Sequence, residues 1–179
     1  VAWVGQHAKA GTPFAHLAHT QSCAYADLSI NGVSIGEFGQ FALCASELGV
    51  RAIFGSGDRA FCAEAQALVP GIETVEVKRG TTPGRGDELP TKAYARRNTN
   101  VIASHPDRAR AVIREGAERG ARRAAAEDFG IIPLTPPFER VTVFRSDEQQ
   151  PRRKAVETHG TSVIALLNMP FDARPQDAT

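Results

Sequence analysis

Apolar and polar positions along the chain switch between two periods. Residues 1–5 form a short apolar run read as a buried strand, and residues 6–21 give way to His, Gly, Pro and Thr, the make-up of a long loop after a strand. Residues 23–30 alternate loosely, Asn31-Gly32 is the strongest short hairpin signal, and residues 33–35 return as the second strand. The period then changes. From Gly36-Glu37 onward, Phe38, Phe41, Ala42, Ala45 and Leu48 recur at helical spacing until Gly49 stops the helix. Residues 50–54 read as a strand, 55–58 as a turn, 59–69 as a helix halted by Pro70-Gly71, and 74–77 as the next strand.

Strands alternating with helices at these lengths predict an α/β fold, a mixed sheet with flanking helices joined by crossover connections. Beyond it lie a Gly/Pro/Thr loop at 80–90, an Ala- and Arg-rich helix at 106–128 weakened by Gly116 and Gly120, and an extended connector with three prolines at 131–137. Residues 139–145 alternate as a strand, residues 161–167 form an apolar run read as a C-terminal strand, and residues 172–179 have the composition of a flexible tail. The resulting organisation is an α/β region over residues 1–145 followed by a C-terminal segment, 146–179.

Composition narrows the function. With 21 Lys and Arg against 20 Asp and Glu, a net charge of +1 argues against a chain built to hold nucleic acid or an anionic membrane. The basic helix face around Arg108, Arg110, Arg114, Arg119, Arg122 and Arg123 has no interleaved aromatics and reads as a solvated face or subunit contact. Cys23, Cys44 and Cys62 form no paired framework, which points to a reducing cytoplasm. No stretch has the length of a membrane span. An opening Val-Ala-Trp-Val run without an initiating Met suggests that Val1 is not the natural beginning, or else a literally translated GUG start.

Three of the five histidines, His7, His16 and His19, fall within thirteen residues, and Glu37 stands at a helix N-terminus, where the dipole favours an ionised carboxylate. Residue types and spacing alone leave two readings open, metal ligation and hydrogen bonding to loop backbone.

The ordered motifs go further. Val4-Gly5-Gln6-His7-Ala8-Lys9-Ala10-Gly11-Thr12-Pro13, Ala18-His19-Thr20, Ile30-Asn31-Gly32 and Gly36-Glu37-Phe38-Gly39 resemble the central segment of the DppA-type D-aminopeptidases, as do Gly55-Ser56-Gly57-Asp58-Arg59-Ala60 and Leu134-Thr135-Pro136-Pro137. The resemblance spans about residues 2–145. It implies a binuclear zinc aminopeptidase acting on short peptides with N-terminal D-residues, assembled as a homo-oligomeric ring, a decamer in the family. By the same resemblance His7 and Glu37 match metal ligands and His19 the catalytic histidine, with His16 a bystander or supporting group. The family's remaining ligands belong to D-x-E-G and N-D-[SA]-H motifs that this sequence does not contain, so the isolated chain is expected to be incomplete as a two-zinc site.

Two rivals remain. Gly55-Ser56-Gly57 with Ala60 also fits a G-x-G-x-x-A dinucleotide turn, with Glu76 about twenty residues on, although Asp58 would face the pyrophosphate. The other is a catalytically silent truncated subunit.

Overall fold

The computed structural model describes residues 1–176. One sheet has the order β1-β4-β5-β6: β1 (Ala2–Gln6), β4 (Phe54–Asp58) and β5 (Glu73–Gly80) run parallel, and β6 (Val101–Ala103) pairs antiparallel with β5. The second is antiparallel throughout, in the order β3 (Val33–Ser34), β2 (Tyr25–Ile30), β7 (Phe138–Phe144), β8 (Arg153–His159) and β9 (Arg174–Pro175). Helices α1 (Glu37–Glu47), α2 (Arg59–Leu68), α3 (Thr91–Arg97), α4 (Pro106–Ala126) and α5 (Val163–Leu167) complete the mixed α/β architecture that the alternation of periods predicts. Helices α2 and α4 lie on β4 and β5, while α1 meets α2 and α5.

Small residues hid the central strand. Residues 55–58, expected as a turn, are the body of β4, and all five positions of that strand are buried. A Cβ on Gly57 would sit 2.1 Å from the Gln6 carbonyl oxygen, and one on Gly55 would sit 2.9 Å from the Phe61 ring. The strand therefore needs glycine for close approach rather than for turning. Residues 1–5 differ in the other direction. Among the described residues strand β1 has one neighbour, β4, and Val4 is 63% exposed, so this apolar run is an edge and not a buried strand.

The glycines of α4 also serve packing. A Cβ on Gly116 would meet Val75 Cγ2 at 2.3 Å and the Phe54 ring at 2.9 Å, and one on Gly120 would meet the Ile53 carbonyl at 2.9 Å. They are the two buried residues of a helix whose arginines face outward, with Arg119 and Arg123 pairing to Glu73 at 2.9 and 3.3 Å.

Helix α3 and strand β8 have no apolar pattern to betray them. Tyr94 is the one buried residue of α3. In β8 the inward positions are Ala155 and Glu157, and Glu157 accepts from Arg140 Nε at 3.0 Å inside the β7–β8 pair. Both partners of this ion pair are buried, and Arg140 also donates to the Met169 carbonyl at 2.9 Å.

Residues 161–167, expected as a strand, carry helix α5. The Glu47 carboxylate accepts from the Ser162 hydroxyl at 2.5 Å and from the Val163 and Ile164 amides at 2.6 and 3.0 Å, which satisfies the donors of a helix start. Within the expected tail, Arg174–Pro175 pair with Lys154 and Arg153, and positions 177–179 lie outside the described residues.

If helix propensity ruled at Gly116, Ala there would stabilise by about 1 kcal/mol. Packing predicts the opposite sign: Gly116→Ala lowers the urea-unfolding free energy by about 1–3 kcal/mol, and an unchanged or raised value contradicts the contact described. At Glu47, hydrogen bonding from Ser162 is the main cause holding the carboxyl below its usual range. A depressed folded value contributes stability above the unfolded pKa and loses it as pH falls through the folded one. Glu47→Gln is therefore destabilising at neutral pH, with a deficit that closes below about pH 4; a deficit independent of pH contradicts this cap.

Candidate metal centre

The site lies where β1 ends, the carboxyl edge of a parallel strand, where α/β sheets commonly bind ligands. The loop from His7 to Gln21 is fastened by its amides. Ala10 donates to Thr20 Oγ1 at 3.1 Å, Gly11 to the Tyr94 hydroxyl at 2.8 Å, Phe14 to the Thr82 carbonyl at 2.8 Å, and Leu17 to the Asn98 carbonyl at 2.7 Å. Phe14, Leu17 and Gln21 hold φ of 54°, 56° and 57°, a left-handed conformation that costs non-glycine residues energy. Two of these residues serve the site directly. The Leu17 carbonyl lies 2.7 Å from His19 Nδ1, and the Gln21 amide donates to Glu37 Oε1 at 2.6 Å.

The structure brings His7, His19 and Glu37 together. One donor atom from each lies within 4.8 Å of the others, a grouping of metal-binding type. The rings of His7 and His19 stack with centroids 4.0 Å apart, and His19 Nε2 stands 3.7 Å from Glu37 Oε1. A carbonyl oxygen only accepts, so His19 Nδ1 must carry the proton it gives to Leu17. His7 Nδ1 likewise faces the Ala8 carbonyl at 3.0 Å. In its neutral form each ring would then present its Nε2 lone pair, with the opposite nitrogen held by a backbone carbonyl, the arrangement usual for a ligating imidazole. Glu37 opens α1, and its carboxylate benefits from the helix dipole. The side chains of His19 and Glu37 are 29% and 25% exposed, shielded yet reachable.

His16 stays outside the trio. Its amide donates to Asp58 Oδ2 at 2.9 Å, and burial, reinforced by Lys78, pushes its pKa down. The three cysteines are free, burial pushes the Cys62 thiol up to about 11, and none of the three belongs to the donor grouping. A cavity of about 370 Å³ bounded by Lys9, Ser34, Ile35, Glu64, Leu68 and Arg85 contains none of the three donors in its walls.

The dinucleotide alternative is not favoured. Gly55, Ser56 and Gly57 lie within a strand, the space beside Gly57 is filled by Gln6 backbone, and Asp58 Oδ1 already accepts the Ala60 amide at 2.7 Å where a phosphate would approach.

Sequence reasoning missed the side chains that hold the loops. Thr20, Tyr94 and Glu64 each accept backbone amides near the site. Glu64 did leave a signal, a charged residue among Ala60, Ala63, Ala67 and Leu68 on one face of α2.

The family model described as D-aminopeptidase matches residues 1–158, reaching past the limit of the sequence resemblance, and the chain belongs to that family. No curated protein matches the chain. Among solved structures, the Zn-dependent D-aminopeptidase DppA from Bacillus subtilis, described as a self-compartmentalizing protease, is similar with a TM-score of 0.62 and 23% identity. The match covers 80% of this chain and 46% of that one, so this chain spans less than half of that protein's length. Among the described residues no helix is long and apolar enough to cross a membrane.

The hydrogen bonds fix a tautomer. Long-range ¹⁵N NMR of the metal-free chain at alkaline pH is expected to show His7 and His19 protonated at Nδ1; protonation at Nε2 in either contradicts the donor arrangement described.

Proposed function

We propose that the chain is a metallo-aminopeptidase module in which His7 and Glu37 hold zinc and His19 is the working imidazole, acting on short peptides with N-terminal D-residues. The observation that carries this reading is the meeting of two imidazoles and a carboxylate within 4.8 Å, at a strand end, in a member of the D-aminopeptidase family. The donor set suits zinc, which takes His nitrogen and Glu oxygen. When bound, zinc supplies Lewis-acid chemistry, lowering the pKa of water and offsetting charge on a polarised carbonyl.

The chain's own residues divide the remaining work. His7 and Glu37 fix the cation at the mouth of the site. His19 stacks on His7 with Nδ1 engaged by Leu17, so its Nε2 takes and returns the proton as the amide bond is cleaved. The stack and the Leu17 bond limit ring rotation, which keeps that nitrogen aimed. His7 and Glu37 are two of the ion's ligands in this reading; the two-zinc form implied by the resemblance draws further carboxylates from outside this grouping. Self-assembly into a closed ring is part of the same reading, supported by the description of DppA as self-compartmentalizing. Three free cysteines fit a reducing cytoplasm. The competing reading, a subunit that folds without turning over substrate, draws on the small number of donors present.

The deciding test is zinc content per chain, with hydrolysis of D-alanyl dipeptides with and without chelator. His7→Ala and Glu37→Ala are expected to lose metal and activity together. His19→Ala is expected to keep most of the metal and lose turnover by about 10²-fold or more. Full activity in the His19 variant removes its role; metal retained without any turnover in the parent chain favours the silent subunit.

A further inference from the structure

Outside the trio, the Glu64 side chain bonds both segments that carry the metal donors. Glu64, on α2, accepts the Lys9 amide on Oε2 at 2.8 Å and the Gly36 amide on Oε1 at 3.2 Å. Lys9 lies two residues beyond His7, and Gly36 is the N-cap immediately before Glu37. We propose that Glu64 is a positioning residue, its carboxylate clasping the strand-end loop of His7 to the helix start of Glu37 so that both present their donors to one cation. The proposal rests on the zinc reading of the site given above.

A second observation points the same way. The two segments are already in contact at the clasp, since a Cβ on Gly36 would lie 3.0 Å from Lys9 Cβ, 3.1 Å from Lys9 Cα and 3.2 Å from Glu64 Oε1. Glycine at position 36 thus lets the segments close, and Glu64 bonds them there. The chemistry requires a carboxylate. Two N–H groups converge on one side chain, and an ionised carboxylate offers an acceptor to each, whereas an amide offers one acceptor and turns an NH₂ toward the other donor.

Burial pushes the Glu64 carboxyl up, although both amide bonds act in the opposite sense. The two bonds it accepts set the spacing of segments far apart in sequence.

The test uses the full chain with Glu64→Gln and Glu64→Ala. Zinc affinity is read by competition with a chromophoric chelator, the metal-free fold by thermal melting in circular dichroism, and site geometry by the visible bands of the cobalt-loaded chain. The clasp predicts zinc binding about tenfold weaker in the Gln variant and about 100-fold weaker in the Ala variant. Altered cobalt bands are expected with it, while the metal-free Gln variant still folds and melts cooperatively. Parent-like zinc affinity in both variants overturns the clasp while leaving the zinc site standing, and if the Ala variant does not fold, parent-like affinity in the isosteric Gln variant overturns it alone. A Gln variant whose metal-free fold collapses assigns Glu64 a structural role and also overturns it. Failure of the unaltered chain to bind zinc removes the metal reading, and the clasp with it.

Discussion

The site depends on holding an imidazole and a carboxylate from separate segments within ligand distance before any cation joins them. That arrangement opposes hydration of the carboxylate and the conformational entropy of a fifteen-residue loop, each worth kilocalories. The molecule meets the first with local donors, the Gln21 amide on Glu37 and the dipole of α1. It meets the second by bonding the loop's amides to Thr20 within the loop and to Tyr94, Thr82 and Asn98 from across the fold.

Close approach is the recurring device. Gln6 backbone rests on Gly57, Ala15 and His16 backbone rests on Gly80, and Lys9 rests on Gly36. The end of β1 is thereby laid onto β4, and the loop after it onto β5 and the start of α1, which is how residues 7 and 37 come to face one another. The left-handed residues Phe14, Leu17 and Gln21 are the expense of this route, and Leu17 and Gln21 provide the two backbone contacts that orient His19 and Glu37.

Which parts of this were legible in the sequence follows from how each part is encoded. Helix α1 and the Asn31-Gly32 hairpin announce themselves through periodicity and turn chemistry, and Asn31 and Gly32 do adopt φ of 49° and 79°. Strand β4 escaped because its burial is achieved by glycine and serine, which resemble a turn in any hydropathy pattern. Strand β8 escaped because its inward side chain at position 157 is a glutamate answering Arg140, and α3 because Tyr94 alone marks its buried side. For the site, the ordered motifs singled out His7, His19 and Glu37, and the folded chain brings those three side chains together. Of the residues fixing their spacing, Glu64 shows as a lone charge among alanines on one face of α2, but the amide it accepts lies 55 positions away and gives that charge no local explanation.

The most direct measurement is a crystal structure of the zinc-soaked chain with anomalous data at the zinc edge. The account predicts an anomalous peak at about 2.0–2.2 Å from both His7 Nε2 and a Glu37 carboxylate oxygen. A peak bound to one of these residues without the other, or the absence of any peak between them, would contradict it.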